Sequence, residues 1–234
     1  MTSGSAAFRG WPRSRPPFCA SLPPCFDFAS GRKCAIIKSI DKRHSARRCA
    51  VFLTHPRGMQ KGGTMHIRQI KIGDYRAVYR LIRQAFAQSR ISDGCEQDWV
   101  IAQRSSRGYV PALELVAEQG GSLVGHVLLT ERTVQTEEGA CTALYLSPLC
   151  VRADLRGQGI GGALLHEAFT RAADMGYRAA FLVGDPAYYS RFGFRPVTDF
   201  GIENCSKIPD RYVQAVELHP GALEEIRGSL HLSA

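Results

Sequence analysis

No Cys-x-x-Cys pair occurs among the eight cysteines, which stand at positions 19, 25, 34, 49, 95, 141, 150 and 205. Paired Cys/His spacing is missing as well, so no metal is expected. A secretory signal is lacking: prolines and charges break residues 1–30 before an apolar core of signal length can form. No apolar run approaches a membrane span. These absences predict reduced thiols in a cytoplasmic protein without a membrane partner. Acidic residues are scarce at one end of the chain. Residues 1–64 hold 2 Asp+Glu against 12 Lys+Arg, whereas residues 65–234 hold 19 against 18. The formal charge of +9 therefore belongs to the first 64 residues. The remainder is near neutral, as suits an enzyme of small molecules, and no nucleic-acid partner is expected.

Residues 1–64 also lack any lasting period. Pro12, Pro16, Pro17, Pro23 and Pro24 fall among scattered basic residues, which reads as an unstructured basic leader. An Arg-rich, acid-poor stretch of this kind fits a transit peptide. A mis-assigned start fits too. Lys61-Gly62-Gly63-Thr64-Met65 can be encoded by a purine-rich AAAGGAGG shortly before an ATG, the pattern of a bacterial ribosome-binding site.

From Met65 the chain is patterned. His66 to Ile72 alternates as a strand, and Asp74 is placed to cap a helix with apolar Tyr75, Val78, Ile82, Ala85 and Phe86. A second helix covers about Cys95 to Gln103. Strands at Ala112 to Gln119 and Ser122 to Thr130 meet at Gly120-Gly121, a two-residue hairpin signal. Thr142 to Val151 is the central strand and Ile160 to Met175 an amphipathic helix with Gly176 after it. Arg178 to Gly184 is a strand, Ala187 to Arg191 a short helix, and Phe194 to Asp199 and Tyr212 to Leu218 complete the sheet. Asp185 followed by Pro186 reads as a helix cap with proline at the first helical position. The order predicts one mixed α/β domain over 65–220 and a C-terminal tail over 221–234. The strands around the amphipathic helix should be parallel neighbours joined by a right-handed crossover.

The stretch 144–162 organises the rest. An apolar strand ends at Val151, and a glycine-rich turn then opens a helix. Free backbone N–H groups and the positive end of the helix dipole make such a turn a phosphate site. Two readings compete. Gly157, Gly159 and Gly162 satisfy the dinucleotide fingerprint, with Asp185 placed as a ribose-binding acid. Against it, Arg152 to Arg156 separate strand from glycine, and the 72 residues after Gly162 are too few for the second half of such a fold. Arg156, Gly159 and Gly161 satisfy Arg/Gln-x-x-Gly-x-Gly/Ala instead.

This loop, with Gly184-Asp-Pro-Ala-Tyr-Tyr-Ser-Arg-Phe-Gly-Phe194, resembles the GNAT superfamily of N-acetyltransferases, in its YhbS-type branch, over roughly Met65 to Leu218. That family also begins near Met65. The resemblance implies a central mixed sheet flanked by helices, with two parallel strands splayed at a bulge. Acetyl-CoA is the implied co-substrate and a small-molecule or peptide amine the implied acceptor. A homodimer is the assembly expected beyond the monomer. Pro148, which cannot donate to a strand ladder, marks the bulge. Leu149, Cys150 and Val151 would offer backbone groups to the pantetheine arm. Arg156, Gly157, Gln158, Gly159, Ile160 and Gly161 would cradle the pyrophosphate, because a Cβ would block close approach. Tyr189, four residues before Gly193, occupies the spacing of the tyrosine that faces the CoA sulfur, and would be the catalytic acid. Tyr188 is its substitute if the helix is rotated.

The glutamate that many members carry on the central strand is missing, since Thr142 to Leu149 has no acid. Glu131, Glu137, Glu138 and His126 lie nearby and read as solvated strand or turn residues. Cys150 reads as a buried, inert thiol. The function expected is transfer of an acetyl group to a primary amine by direct attack in a ternary complex. A CoA-binding regulatory protein without turnover and a dinucleotide-binding protein are the alternatives. The acceptor should enter between Phe86 to Tyr109 and Asp199 to Asp210, the least patterned parts of the domain.

Overall fold

The computed structural model describes residues 64–87, 94–136, 139–224, 226 and 228–230. The leader expected over 1–64 lies outside the described residues except for Thr64. Strand β1 (His66–Gln69) leads into helices α1 (Tyr75–Phe86) and α2 (Glu96–Arg104). Asp74 does not cap α1 with its side chain. Its carboxylate instead accepts hydrogen bonds from the Lys71 backbone N–H (2.7 Å) and the Arg68 guanidinium (2.7 and 3.1 Å), tying the helix entry to β1.

Three long antiparallel strands follow: β2 (Tyr109–Gln119), β3 (Ser122–Thr136) and β4 (Gly139–Val151). Gly120 and Gly121 both take positive φ, 57° and 72°, as a tight hairpin between β2 and β3 requires. Helix α3 (Ile160–Asp174) crosses to β5 (Ala179–Val183), which pairs parallel to β4. Short helix α4 (Pro186–Tyr189), β6 (Arg195–Pro196), β7 (Ile202–Asn204), β8 (Val213–Glu217) and β9 (Gly228–Leu230) complete the chain. Asp185 caps α4 as its sequence suggests, its carboxylate accepting from the Ala187 N–H at 2.9 Å.

The main sheet runs β1-β2-β3-β4-β5-β8-β6. One face carries α3, whose Ile160, Leu164, Leu165 and Ala168 pack on Leu113, Leu115, Val127 and Leu146. These spacings put one helical stripe against alternate strand positions. The other face is covered twice. Helices α1 and α2 bury Val78, Ile82 and Val100 on Val116, Leu128 and Cys150. Farther along, Val197, Ile202, Leu223 and Leu230 close over Ala143, Phe181 and Val213.

Two expectations are corrected here. The strand expected over Phe194 to Asp199 is two residues long and gives way to a 3-10 turn over Val197–Phe200, because Pro196 has no N–H with which to extend the ladder. The described residues after 220 do not form a free tail. Ala222, Leu223 and Leu230 are fully or almost fully buried, and β9 pairs with β7 and with the end of β3. Strand β3 outruns β2, and β9 takes the edge left open at Gln135 and Thr136.

Candidate active site

Strand β4 breaks register at its proline. Leu149 lies opposite Val127 and Leu146 opposite Leu129, so β4 spends one more residue than β3 across this step. That is the expected bulge at Ser147-Pro148. Parallel pairing of β4 with β5 covers Leu144–Ala180 and Tyr145–Phe181 and ends there. Leu149, Cys150 and Val151 are in register with β3 on one edge and beyond any pairing with β5 on the other. The two strands thus open into a slot whose β4 wall carries backbone polar groups.

The slot leads to the glycine loop. Gly157 and Gly159 take φ of 78° and 83°, which a side-chain-bearing residue would resist. A Cβ on either would meet no protein atom within 4 Å, so the outer surface of the loop is open. Among the described residues, no acceptor is recorded for the backbone N–H groups of residues 157–162. They converge at the N-terminus of α3, a 15-residue helix. The set fits a pyrophosphate. Arg156 does something other than face phosphate. Its guanidinium donates to the Ala85 carbonyl at 2.6 Å and the Val151 carbonyl at 3.4 Å, strapping the loop to the end of α1.

The two tyrosines of α4 part company. The Tyr189 ring lies against Gly184, where any Cβ would overlap it, and meets Tyr188 and Phe194 edge-on at 4.9 and 5.6 Å. Burial pushes its phenol well above the usual range, helped by Tyr188 and Tyr145. It therefore keeps its proton at neutral pH and can serve as a donor. Its hydroxyl has no hydrogen-bond partner among the described residues. Tyr188 turns the other way: its Oη lies 2.5 Å from where a Cβ on Gly161 would be, at the mouth of the glycine loop.

The sheet face under α1 and α2 holds a polar cluster that sequence reading missed. Glu114 on β2 is fully buried. It accepts from Arg104 Nη2 at 2.6 Å, Tyr109 Oη at 2.7 Å and His126 Nε2 at 2.9 Å, while Arg104 stacks on Tyr75 at 3.9 Å. His126 is thus a buried partner of Glu114 and not a solvated strand residue. Burial pushes the Glu114 carboxyl upward, but the bonds from His126 and Arg104 outweigh it and hold the group at about 2. Burial lowers the His126 imidazole, and its Nδ1 has no partner. A neutral ring donating through Nε2 satisfies both facts, leaving Arg104 and Glu114 as the ion pair. Glu131 is also engaged, accepting from Tyr177 Oη at 2.6 Å on the α3 face. Glu137 and Glu138 lie outside the described residues. Cys150 is buried and its thiol is pushed up to about 12, so it is no nucleophile at neutral pH.

The buried imidazole gives a signed pH dependence. Its folded pKa lies below the unfolded value of 6.5, so the unfolded chain binds the extra proton as pH falls through 6.5. Stability is complete above that point and declines below it. Glu114 adds a second decline as pH falls through 4.5 toward 2. Thermal melts should show the melting temperature dropping between pH of about 7 and about 5, with a shallower drop in His126→Gln. Equal slopes in the two proteins would mean that the imidazole takes up its proton equally in the folded and unfolded chain, so that the fold does not lower its pKa.

Residues 66–197, more than half of the chain, match the family described as Acetyltransferase (GNAT) domain, and the chain belongs to that family. Within it the chain falls in the YhbS-like branch. The N-acetyltransferase YjhQ of Escherichia coli (strain K12) is 33% identical over 118 residues, 50% of this chain and 65% of that protein. YhbS of the same strain is 39% identical over 83 residues, 35% of this chain and 48% of that protein. The chain therefore spans less than two thirds of the curated relatives' own length in these matches. The crystal structure of E. coli YhbS in complex with CoA superposes with a TM-score of 0.63 at 25% identity, covering 74% of this chain and 91% of that one. A GNAT acetyltransferase from Brucella melitensis in complex with acetyl-CoA gives 0.55 at 28% identity, covering 67% and 90%.

Proposed function

We propose that the protein is an acetyl-CoA-dependent N-acetyltransferase acting on a primary amine by direct transfer in a ternary complex. The observation that carries this is the slot between β4 and β5, which runs from the bulge at Ser147-Pro148 to the open N–H groups of residues 157–162. Its β4 wall of Leu149, Cys150 and Val151 suits a pantetheine arm and its end suits a pyrophosphate. CoA and acetyl-CoA in the YhbS and Brucella structures support the same reading.

In this reading acetyl-CoA brings an acyl group activated as a thioester. Backbone groups of Leu149, Cys150 and Val151 hold the arm, and an N–H among them polarises the thioester carbonyl. Gly157, Gln158, Gly159, Ile160 and Gly161 take the pyrophosphate through their amides, while Arg156 keeps the loop in place. The acceptor nitrogen forms the new C–N bond, the C–S bond breaks, and Tyr189 gives its proton to the departing sulfur. The ammonium proton leaves to solvent before attack, so the neutral fraction of the amine is the reacting form; after attack the nitrogen sheds a second proton, and solvent returns one to the Tyr189 phenolate. Holding both reactants in one slot supplies much of the rate.

Isothermal titration with acetyl-CoA, NAD and FAD tests the co-substrate, and release of free thiol across an amine panel tests turnover. Acetyl-CoA should bind and the dinucleotides should not. Gly159→Val should weaken acetyl-CoA binding at least tenfold, about 1.4 kcal/mol, because a branched side chain strains a φ of 83° and fills the space in front of the loop. Tight NAD binding without acetyl-CoA binding would overturn the proposal. Acetyl-CoA binding with no thiol release from any amine would point to a regulatory protein.

A further inference from the structure

Where the α1–α2 cover meets the cover from residues 197–230, the sheet face presents a cation without a carboxylate. Arg132 on β3 is half-buried there. Its Nη2 donates to Gln103 Oε1 at 2.6 Å and its Nη1 to the Glu131 backbone carbonyl at 2.9 Å. A guanidinium has five N–H donors, so three remain. The Glu131 carboxylate is on the opposite face with Tyr177. Among the described residues, Arg132 enters no ion pair, and Tyr145 is the one titratable neighbour that favours its charge.

Its surroundings are those of a ligand site. The Trp99 and Tyr145 rings lie 6.0 and 5.9 Å from the guanidinium carbon. The Trp99 indole N–H is buried and has no acceptor. Tyr145 is the last β4 residue paired with β5 before the slot opens. The Arg132 guanidinium therefore lies on the sheet face under α2, beside the point at which β4 and β5 part. Gly108 lies against the Glu131 backbone carbonyl and Arg132 Nη1, which a Cβ would meet at 2.5 and 3.4 Å.

The three remaining guanidinium N–H groups and an indole N–H without an acceptor, set against aromatic walls in a partly desolvated place, select an anion. A planar guanidinium fork matches a carboxylate in particular. We propose that the acceptor is a small amino acid, whose amine reaches the slot while its carboxylate pairs with Arg132 and the Trp99 N–H. This rests on the acetyl-transfer reading for the role of the amine, but the carboxylate site stands on its own geometry. A guanidinium that served as a strut between β3 and α2 would not distinguish a carboxylate from its amide.

The test uses binding, so that it does not depend on turnover. N-acetylglycine, N-acetyl-β-alanine and N-acetyl-γ-aminobutyrate, each against its own primary amide, are titrated into the full-length protein by calorimetry. At least one acid should bind about tenfold or more tighter than its amide, as expected for charge-assisted hydrogen bonds. Arg132→Gln should bring that ratio close to one, and Arg132→Lys should leave an intermediate ratio. Trp99→Phe keeps the ring and should reduce the ratio in part. Acid and amide binding alike in the unaltered protein, in all three pairs, would overturn the proposal whatever the variants do. A ratio that survives Arg132→Gln would overturn it as well. Selective binding of the acid, lost in Arg132→Gln but without acetyl transfer to the matching amino acid, would uphold the carboxylate site and overturn the amino acid as acceptor, while thiol release across the amine panel tests acetyl transfer separately.

Discussion

Tyr189→Phe should lower kcat about 10²-fold, the low end for loss of a positioned acid, and leave the acetyl-CoA KM nearly unchanged. The two effects separate because the phenol–sulfur interaction grows only as negative charge collects on sulfur. The fold should tolerate the change. The ring keeps its contacts with Gly184, Tyr188 and Phe194, and the hydroxyl surrenders no hydrogen bond among the described residues. Steady-state thiol release at saturating amine measures the effect. Tyr188→Phe is the informative partner. Its hydroxyl abuts Gly161 at the glycine loop proposed for the pyrophosphate, so its loss should appear in acetyl-CoA binding and not in kcat. A loss under about threefold in Tyr189→Phe would reduce that residue to packing. An equal kcat loss in Tyr188→Phe alone would assign the acid to the neighbouring side chain.

Glu114→Gln should destabilise the protein by about 3–5 kcal/mol, the cost of leaving one member of a buried ion pair without its counter-charge. The Arg104 side chain is 11% exposed and Glu114 wholly buried, so solvent screens little of this. The substitution also turns one acceptor oxygen into a donor, facing a site already crowded with donors from Arg104, Tyr109 and His126. Loss on that scale lowers the melting temperature by about 10 °C or more in a domain of this size. Pairing it with Arg104→Gln removes the orphaned charge, and the double variant should recover part of the loss. A single-variant loss below about 1 kcal/mol, measured by urea unfolding, would mean that water reaches the pair. The cluster is thus a structural clasp between α2 and the β2–β3 hairpin. It also explains why the Glu114 carboxylate is a poor general base, since Arg104, Tyr109 and His126 take its oxygens, while burial of the His126 ring disfavours its taking a proton.

Local chemistry was enough for several features of this protein. Gly120-Gly121 dictates its hairpin because two adjacent positive φ values exclude most other residues. Asp185-Pro186 dictates a helix start, Pro148 a break in the β4 ladder, and Gly157 to Gly161 an open amide loop at a helix N-terminus. Each is a constraint between residues a few positions apart, so the sequence alone carries it. The polar clasp is different in kind. In the alternation from Leu113 to Ala117, Glu114 reads as the solvated position, and it is buried because α2 lays Arg104 over it. Strand β9 is likewise three residues with no pattern of their own, held by an edge that β3 leaves open far away in the chain. The same holds for Arg132. Nothing beside it in the chain distinguishes it from a surface arginine. Its desolvation, its aromatic walls and its missing counter-charge come from α2 and β4 packing around it, since burial and pairing depend on which distant elements share a face.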